Sequence, residues 1–270
     1  MSRRTNESAI RPDLNGQGNQ PDRRTRRGQR GEQSMVPSAE FRSYYGRPII
    51  KKPVWQAPDV PGYLFLGGLA GASSALAASA ELSGRPELAR ISKVAAAGAI
   101  GLSMVALIRD LGRPARFHHM LRVFKPTSPM SVGSWLLAGY GPAAGVAGAT
   151  AVTGLLPRTG QAATAVAAVL GPGVAAYTAA LLSDTAVPAW HDAHRELPYL
   201  FVSSAATAAG GLTAAALSGR SRAVAALAGT ALVASSALTR FGVFFAGVES
   251  ARDPKYTVAP QRARLRNKAA

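Results

Sequence analysis

The residue types best suited to proton or metal chemistry lie together in one short polar segment, residues 184–198. The segment contains Asp184, Asp192 and a pair of histidines, three residues apart, that begins at His191. Histidine and carboxylate side chains transfer protons near neutral pH. Two histidines at this spacing could also ligate a metal ion, although no third ligand is spaced convincingly beside them. The pattern is compatible with a proton relay, a metal site or a mixed-charge loop without chemistry.

A proton relay beside an aromatic slot is what a quinone site requires. Quinone reduction takes two electrons and two protons, so the site needs an apolar slot for the ring, donors for its two carbonyls and a wet path for protons. The candidates for the slot and the donors are Tyr63, Tyr177 and Trp190, and those for the path are His191, Asp184 and Asp192. The alternative is that the aromatic residues only anchor helices at a membrane interface.

The sequence offers no ligands for a one-electron cofactor. It contains 0 cysteines, so it lacks thiolates for an iron–sulfur cluster or a zinc site. Its histidines lie outside the apolar stretches, whereas a membrane haem takes axial ligands from facing helices. We therefore expect no haem and no iron–sulfur cluster in this chain, and electrons would have to come from a partner.

Six apolar stretches must position these residues. They lack Asp, Glu, Lys and Arg and cover residues 60–80, 94–108, 126–157, 159–183, 197–219 and 223–239. A helix that crosses a bilayer needs about 20 predominantly apolar residues. The sequence therefore predicts an all-α integral membrane protein, with about six transmembrane helices in a bundle over residues 61–248.

Smaller patterns refine this bundle. Apolar residues recur at helical spacing in 115–124 and predict a short helix in the interface plane. Gly-x-x-x-Gly motifs begin at Gly67 and Gly141 and predict close helix packing. Arg240 lies about two turns inside the last span, and we expect it to reach the interface or to pair with Asp184 or Glu249.

The distribution of charge predicts the topology. The chain has 31 Lys and Arg residues, 14 Asp and Glu residues and a net charge of +17. Positive charge collects on cytoplasmic loops, and with both termini in the cytoplasm 24 of the 31 basic residues fall on that side and 6 on the other. This bias favours the inner (plasma) membrane with both termini cytoplasmic, and membrane lipid rather than nucleic acid as the partner of the positive charge. We expect residues 1–40 to form a disordered basic tail. We expect residues 249–270 to form a cytoplasmic C-terminal tail.

Several loop motifs occur in order between residues 44 and 205. They are YLFLGG at 63–68, DLGRPARF at 110–117, MLR at 120–122, PTSPMS at 126–131, and Tyr177 followed by Leu181-Leu182, Pro188-x-Trp190 and Leu197-Pro198-x-Leu200-Phe201. Together they resemble the NrfD/polysulfide-reductase membrane-subunit family, here in a short, six-span form. Relatives commonly have eight or more spans, so the chain resembles the core of the family's bundle.

The resemblance implies a haem-free membrane subunit of an oxidoreductase complex that is not catalytic on its own. Such subunits dock an iron–sulfur, ferredoxin-like subunit that contacts a molybdopterin catalytic subunit, and they exchange electrons with menaquinone or ubiquinone. A tyrosine on the fourth span binds quinone in the family, which makes Tyr177 its counterpart here. Relatives also use His and Asn on the first span, and residues 60–80 contain neither. With the charge bias, the resemblance points to a cytoplasmic, formate-dehydrogenase-like partner.

A basic, aromatic segment at 41–60 suits an extended arm that clasps the soluble partner, although a simple linker is the alternative. The candidate docking residues are Arg47, Trp55, Asp110, Arg113, Arg116 and His118. Two other functions stay open. The missing His and Asn favour a membrane anchor without quinone chemistry, and the prolines inside the third and fourth spans would suit a small transporter or proton channel.

Overall fold

The protein is helical throughout the part of the chain that the computed structural model describes. That part comprises residues 50, 53, 55, 57–110, 114–217 and 222–269, with the backbone alone described for 114–117, 268 and 269. Its α-helices are α1 (Asp59–Leu82), α2 (Pro86–Asp110), α3 (Pro129–Thr153), α4 (Pro157–Ser183), α5 (Pro188–Asp192), α6 (Leu197–Ala216), α7 (Arg222–Arg252) and α8 (Lys255–Ala269), and a 3-10 helix covers Pro114–Leu121. The prediction of an all-α protein is confirmed.

Five helices in the described residues are long and apolar enough to cross a membrane, namely α1, α2, α4, α6 and α7. The remaining long helix, α3, has 25 residues and contains no Asp, Glu, Lys or Arg. It is not in that set because its glycine, serine and proline residues keep the mean hydropathy of its most apolar stretch below that of the five. Because α3 packs along α2 and α4, it takes its place in the same bundle. The chain is a multi-pass membrane protein, and each of the six predicted spans corresponds to one long helix.

Neighbouring long helices run in opposite directions. Near the start of α1, the Ser103 hydroxyl of α2 donates to the carbonyl oxygen of Tyr63 at 3.2 Å. At the other end of the same pair, Lys93 forms an ion pair with Glu81 at 2.5 Å. One end of the bundle therefore collects the starts of α1, α3 and α6 and the ends of α2, α4 and α7. We call it the α5 end, because the short helix α5 lies there against α7.

Helix α1 is the central element, with contacts to α2, α4, α6 and α7. Its Gly71 lies against Gly171 of α4 so closely that a Cβ on either glycine would overlap the backbone carbonyl of the other. The Gly-x-x-x-Gly motif that begins at Gly67 thus forms a packing face, as predicted. The motif that begins at Gly141 does not: a Cβ at Gly141 or Gly145 would meet open space, so that prediction is wrong.

The segments outside the bundle differ in part from expectation. The predicted interfacial helix at 115–124 corresponds to the 3-10 helix Pro114–Leu121, which residues 122–128 separate from α3. The last long helix continues to Arg252 instead of ending at Val248, and most of the predicted C-terminal tail forms α8. The predicted basic tail at 1–40 lies outside the described residues, as does most of the predicted arm at 41–60.

Candidate functional site

A cavity of about 90 Å³ opens at the α5 end between the starts of α1 and α3 and the ends of α2 and α4. Most of its wall is leucine, valine and methionine. The polar or aromatic members of the wall are Trp55, Tyr63, Asp110, Ser134 and Tyr177. The cavity therefore combines an apolar slot with a few groups that can form hydrogen bonds, which is the usual composition of a small-molecule site.

Two tyrosines line this cavity, Tyr63 from α1 and Tyr177 from α4. Tyr63 is buried, with 4% of its surface exposed, and Tyr177 is half-buried. Tyr177 lies directly on α3, because a Cβ at Gly133 would overlap its ring. Among the described residues, Tyr63 accepts a hydrogen bond at its carbonyl oxygen, and neither tyrosine hydroxyl has a partner. Both phenols are thus available as donors to a ligand.

A second, apolar hollow of about 310 Å³ adjoins the cavity between α2, α3 and the 3-10 helix. The two share four wall residues, Leu107, Met120, Ser134 and Leu137, so they are neighbouring parts of one depression. The hollow continues along Met104, Ala138 and Pro142 toward the middle of the bundle. Because its wall is apolar apart from Ser134, it suits a hydrocarbon chain.

A family model identifies the class of membrane protein to which this bundle belongs. The family model described as Polysulphide reductase, NrfD matches residues 50–259, which include all the helices of the bundle. The chain belongs to the NrfD family. NrfD proteins are membrane subunits of molybdopterin oxidoreductases that interact with quinone and associate with iron–sulfur and catalytic subunits. No curated protein matches the sequence significantly.

Trp190 of this NrfD protein lies behind the cavity rather than in its wall. It is 1% exposed, and its indole Nε1 donates to the carbonyl oxygen of Val243 at 2.7 Å. Its ring stacks on Trp55, with 5.7 Å between centroids, and Trp55 in turn lines the cavity. Gly247 lets the indole lie against the α7 backbone, since a Cβ there would overlap the ring. Trp190 therefore supports the cavity wall by fixing α5 to α7.

The residues that the sequence suggested for a proton path lie elsewhere in this NrfD protein. Asp184, His191 and Asp192 are exposed and are not part of the cavity wall. The Nδ1 atom of His191 lies 3.2 Å from the carbonyl oxygen of Ser183, a contact that holds the ring at the end of α4. Within the described ranges, no three His, Cys, Asp or Glu residues are grouped as a metal site would require.

The predicted docking residues are distributed between the cavity and its surroundings. Trp55 and Asp110 line the cavity, a position that their sequence context did not reveal. His118 is exposed, with its ring edge-on to His119 at 4.3 Å between centroids. Arg47 and Arg113 lie outside the described residues, as does the side chain of Arg116. The sequence predicted Asp110 only as a docking residue in the DLGRPARF motif, and not as part of a cavity wall.

Arg240 differs from both expectations. It is 0% exposed, so it does not reach the interface. In the part of the chain that the structure describes it forms no ion pair, because Glu249 pairs with Arg252 and Asp184 is exposed. The predictions that Arg240 snorkels or pairs with an acid are therefore wrong. Sequence reasoning failed here because it placed the arginine by its distance from the helix end and could not see which face of α7 is buried.

Proposed function

We propose that this NrfD protein is the quinone-reactive membrane subunit of its oxidoreductase complex and that quinone reacts in the cavity between Tyr63 and Tyr177. The observation that carries the proposal is a pair of phenol hydroxyls that have no hydrogen-bond partner among the described residues and belong to tyrosines lining an apolar slot inside a membrane helix bundle. Menaquinone and ubiquinone both combine a flat ring that has two carbonyl acceptors with an apolar tail. The apolar slot matches the ring and the tail, and the two phenol hydroxyls are donors for the two carbonyl acceptors.

The size of the site supports the same reading when both of its parts are considered. The cavity alone, at about 90 Å³, is smaller than the roughly 300 Å³ at which pockets for organic ligands begin. The adjoining hollow of about 310 Å³ extends the site into the bundle. A ring between the tyrosines and a tail in the hollow would use both parts, with Met120 and Ser134 at the junction.

The chain's own residues have distinct roles in this proposal. Tyr63 and Tyr177 donate hydrogen bonds to the ring carbonyls and so orient the ring. Leu64, Leu137 and Leu182 exclude water from its faces, which strengthens those hydrogen bonds. Quinone, once bound, supplies the two-electron, two-proton chemistry. Asp110 is the one carboxylate in the wall and is the nearest described acid through which protons could be exchanged with the aqueous side.

The partner would dock at the α5 end, because the cavity lies there and electrons must arrive close to it. We propose an iron–sulfur, ferredoxin-like subunit, reduced by a molybdopterin enzyme of formate-dehydrogenase type. The docking residues would be Trp55, Asp110 and His118, together with Arg47, Arg113 and Arg116. The surplus of basic residues at this end supports a cytoplasmic location for it and for both termini, in an inner (plasma) membrane.

The tyrosines can be tested with a matched control. In the purified complex, Tyr177→Phe or Tyr63→Phe should weaken quinone binding by about tenfold, which corresponds to one lost hydrogen bond of roughly 1–1.5 kcal/mol. Tyr199→Phe is the control, because Tyr199 is 80% exposed on α6. Binding is followed by quenching of tryptophan fluorescence and by quinone reduction. Equal behaviour of all three variants would place the quinone elsewhere.

A second candidate function is a membrane anchor that recruits the soluble enzyme without reacting with quinone. The small cavity and the absence of His and Asn from α1 favour it. A complex that contains this subunit but reduces quinone analogues no faster than the soluble subunits alone would establish the anchor. Reduction that requires the subunit and fails in Tyr177→Phe would reject it.

The proposed topology can be tested directly because the chain has 0 cysteines. Single cysteines introduced as His191→Cys at the α5 end and Arg85→Cys at the other end give two matched reporters. In intact cells, a membrane-impermeant maleimide should label Arg85→Cys, while His191→Cys should react only after the cells are opened. The reverse pattern would place the docking face outside the cytoplasm and would remove the proposed cytoplasmic partner.

A further inference from the structure

Arg240 is a buried cation whose charge the described protein groups do not neutralise. One of its nitrogens, Nη2, donates to the carbonyl oxygen of Phe201 at 2.5 Å, and its guanidinium carbon lies 3.8 Å from the centre of the Phe201 ring. Its Nε and Nη1 have no hydrogen-bond partner among the described residues. No ion pair involves Arg240 in the described ranges. Because arginine stays protonated in proteins, the centre of the bundle carries a net positive charge.

This charge lies just beneath the tyrosine cavity. Nη2 of Arg240 would be 2.9 Å from a Cβ at Gly68, so the guanidinium occupies the space that this glycine leaves on α1. Gly68 follows Tyr63 by five residues and Leu64 by four, and both of these line the cavity. At 1.5 Å per residue, the guanidinium is displaced from these two wall residues by about 6–8 Å along α1. The charge and the cavity are therefore neighbours, although Arg240 is not part of the wall.

We propose that Arg240, without touching the ligand, raises the cavity's affinity for ring ligands that carry negative charge relative to neutral rings of the same shape. The proposal rests on the proposed quinone site and names a regulator of which charge state that site binds. A unit charge about 10 Å from the ligand, at an effective dielectric constant of about 20, changes an anion's affinity on the order of tenfold. A neutral ring would gain almost nothing.

The competing charge is that of Asp110, which lines the cavity and would disfavour an anion. Its effect is present in the wild-type protein and in every Arg240 variant, so it cancels when variants are compared. The ratio of anion affinity to neutral-ring affinity therefore isolates the contribution of Arg240. A variant that merely loosens the bundle would weaken both ligands together and leave this ratio unchanged.

The test uses the full-length protein in lipid nanodiscs and two soluble probes, naphthoquinone, which is neutral, and its hydroxy derivative lawsone, which is an anion at neutral pH. The Kd of each is measured by quenching of tryptophan fluorescence, since Trp55 lines the cavity. The quantity compared between variants is the affinity for lawsone divided by the affinity for naphthoquinone. Arg240→Gln should lower this ratio about tenfold with naphthoquinone binding kept, and Arg240→Lys should retain most of the wild-type ratio.

The possible outcomes separate the two proposals. If naphthoquinone binds and Arg240→Gln leaves the ratio unchanged, the role of Arg240 is refuted and the quinone site stands. If neither probe binds and Tyr177→Phe changes nothing, the quinone site itself is refuted. Should Arg240→Gln fail to fold, Arg240→Met removes the same charge, and a ratio equal to that of the wild-type protein and Arg240→Lys would refute the role of Arg240.

Discussion

Replacing Trp190 by phenylalanine should separate its role as a support from a role in ligand binding. The indole Nε1 loses its 2.7 Å hydrogen bond to the carbonyl oxygen of Val243, which costs about 1–1.5 kcal/mol. The smaller ring also leaves a gap against Gly247, where the indole now lies on the α7 backbone. We expect Trp190→Phe to lower the free energy of unfolding by roughly 2 kcal/mol, and Trp190→Ala by roughly 3–5 kcal/mol.

The matched control is Trp135→Phe. Trp135 is 43% exposed on α3, where its ring meets Phe124 edge-on at 6.2 Å between centroids. A substitution at such a surface position should change the free energy of unfolding by less than about 0.5 kcal/mol. The assay is equilibrium unfolding in mixed micelles of increasing dodecyl sulfate content, followed by far-ultraviolet circular dichroism. Each variant is also titrated with naphthoquinone.

Because Trp190 is not part of the cavity wall, Trp190→Phe should bind naphthoquinone nearly as well as the wild-type protein does. If Trp190→Phe is as stable as Trp135→Phe, the indole does not fix α5 to α7 and the packing argument is wrong. If stability is kept but naphthoquinone binding is lost, Trp190 contacts the ligand directly, as its sequence context first suggested.

Two further predictions concern the helix contacts that hold the bundle together. Gly71→Leu should lower the free energy of unfolding by about 3 kcal/mol or more, because the new side chain meets a backbone carbonyl that cannot move aside. The control is Gly145→Leu, whose side chain faces open space. In the same unfolding titration, it should change the free energy of unfolding by less than about 0.5 kcal/mol. Glu81→Gln and Lys93→Met should each lower the free energy of unfolding, because the two side chains form a 2.5 Å ion pair in which Lys93 is only 11% and Glu81 only 27% exposed. The double variant should lose at least about 1 kcal/mol less than the sum of the two single losses. Strictly additive losses would show that the pair contributes nothing, and equal losses for the two glycine variants would remove the argument for close packing of α1.

The sequence was sufficient for the bundle because a membrane imposes simple requirements. Uncharged stretches of the right length identified all six long helices. It was less informative about which glycines matter. Gly67 and Gly141 open identical motifs, and only the first faces another helix at close range, because the facing side of a helix depends on its rotation in the bundle.

The candidate site could be predicted in part. Tyr63 and Tyr177 lie in one wall, as their residue type and the family resemblance suggested. Trp190 and His191 were grouped with them because they are close in sequence to the end of α4, yet the short helix α5 directs the tryptophan toward α7 and leaves the histidine exposed. Arg240 was misjudged for a related reason, since its burial depends on contacts with α1 and α6 that are distant in sequence.

The most direct test of a quinone site in this bundle is to map where a photoreactive quinone attaches. The complex is illuminated with an azidoquinone that carries an isoprenoid tail, digested and analysed by mass spectrometry for labelled peptides. The ring azide should label peptides that contain Tyr63 or Tyr177. An azide on the tail should label peptides that contain Met120 or Ser134. Excess quinone should suppress both kinds of labelling. Labelling confined to α6 and α7, or labelling that excess quinone does not suppress, would contradict the proposal.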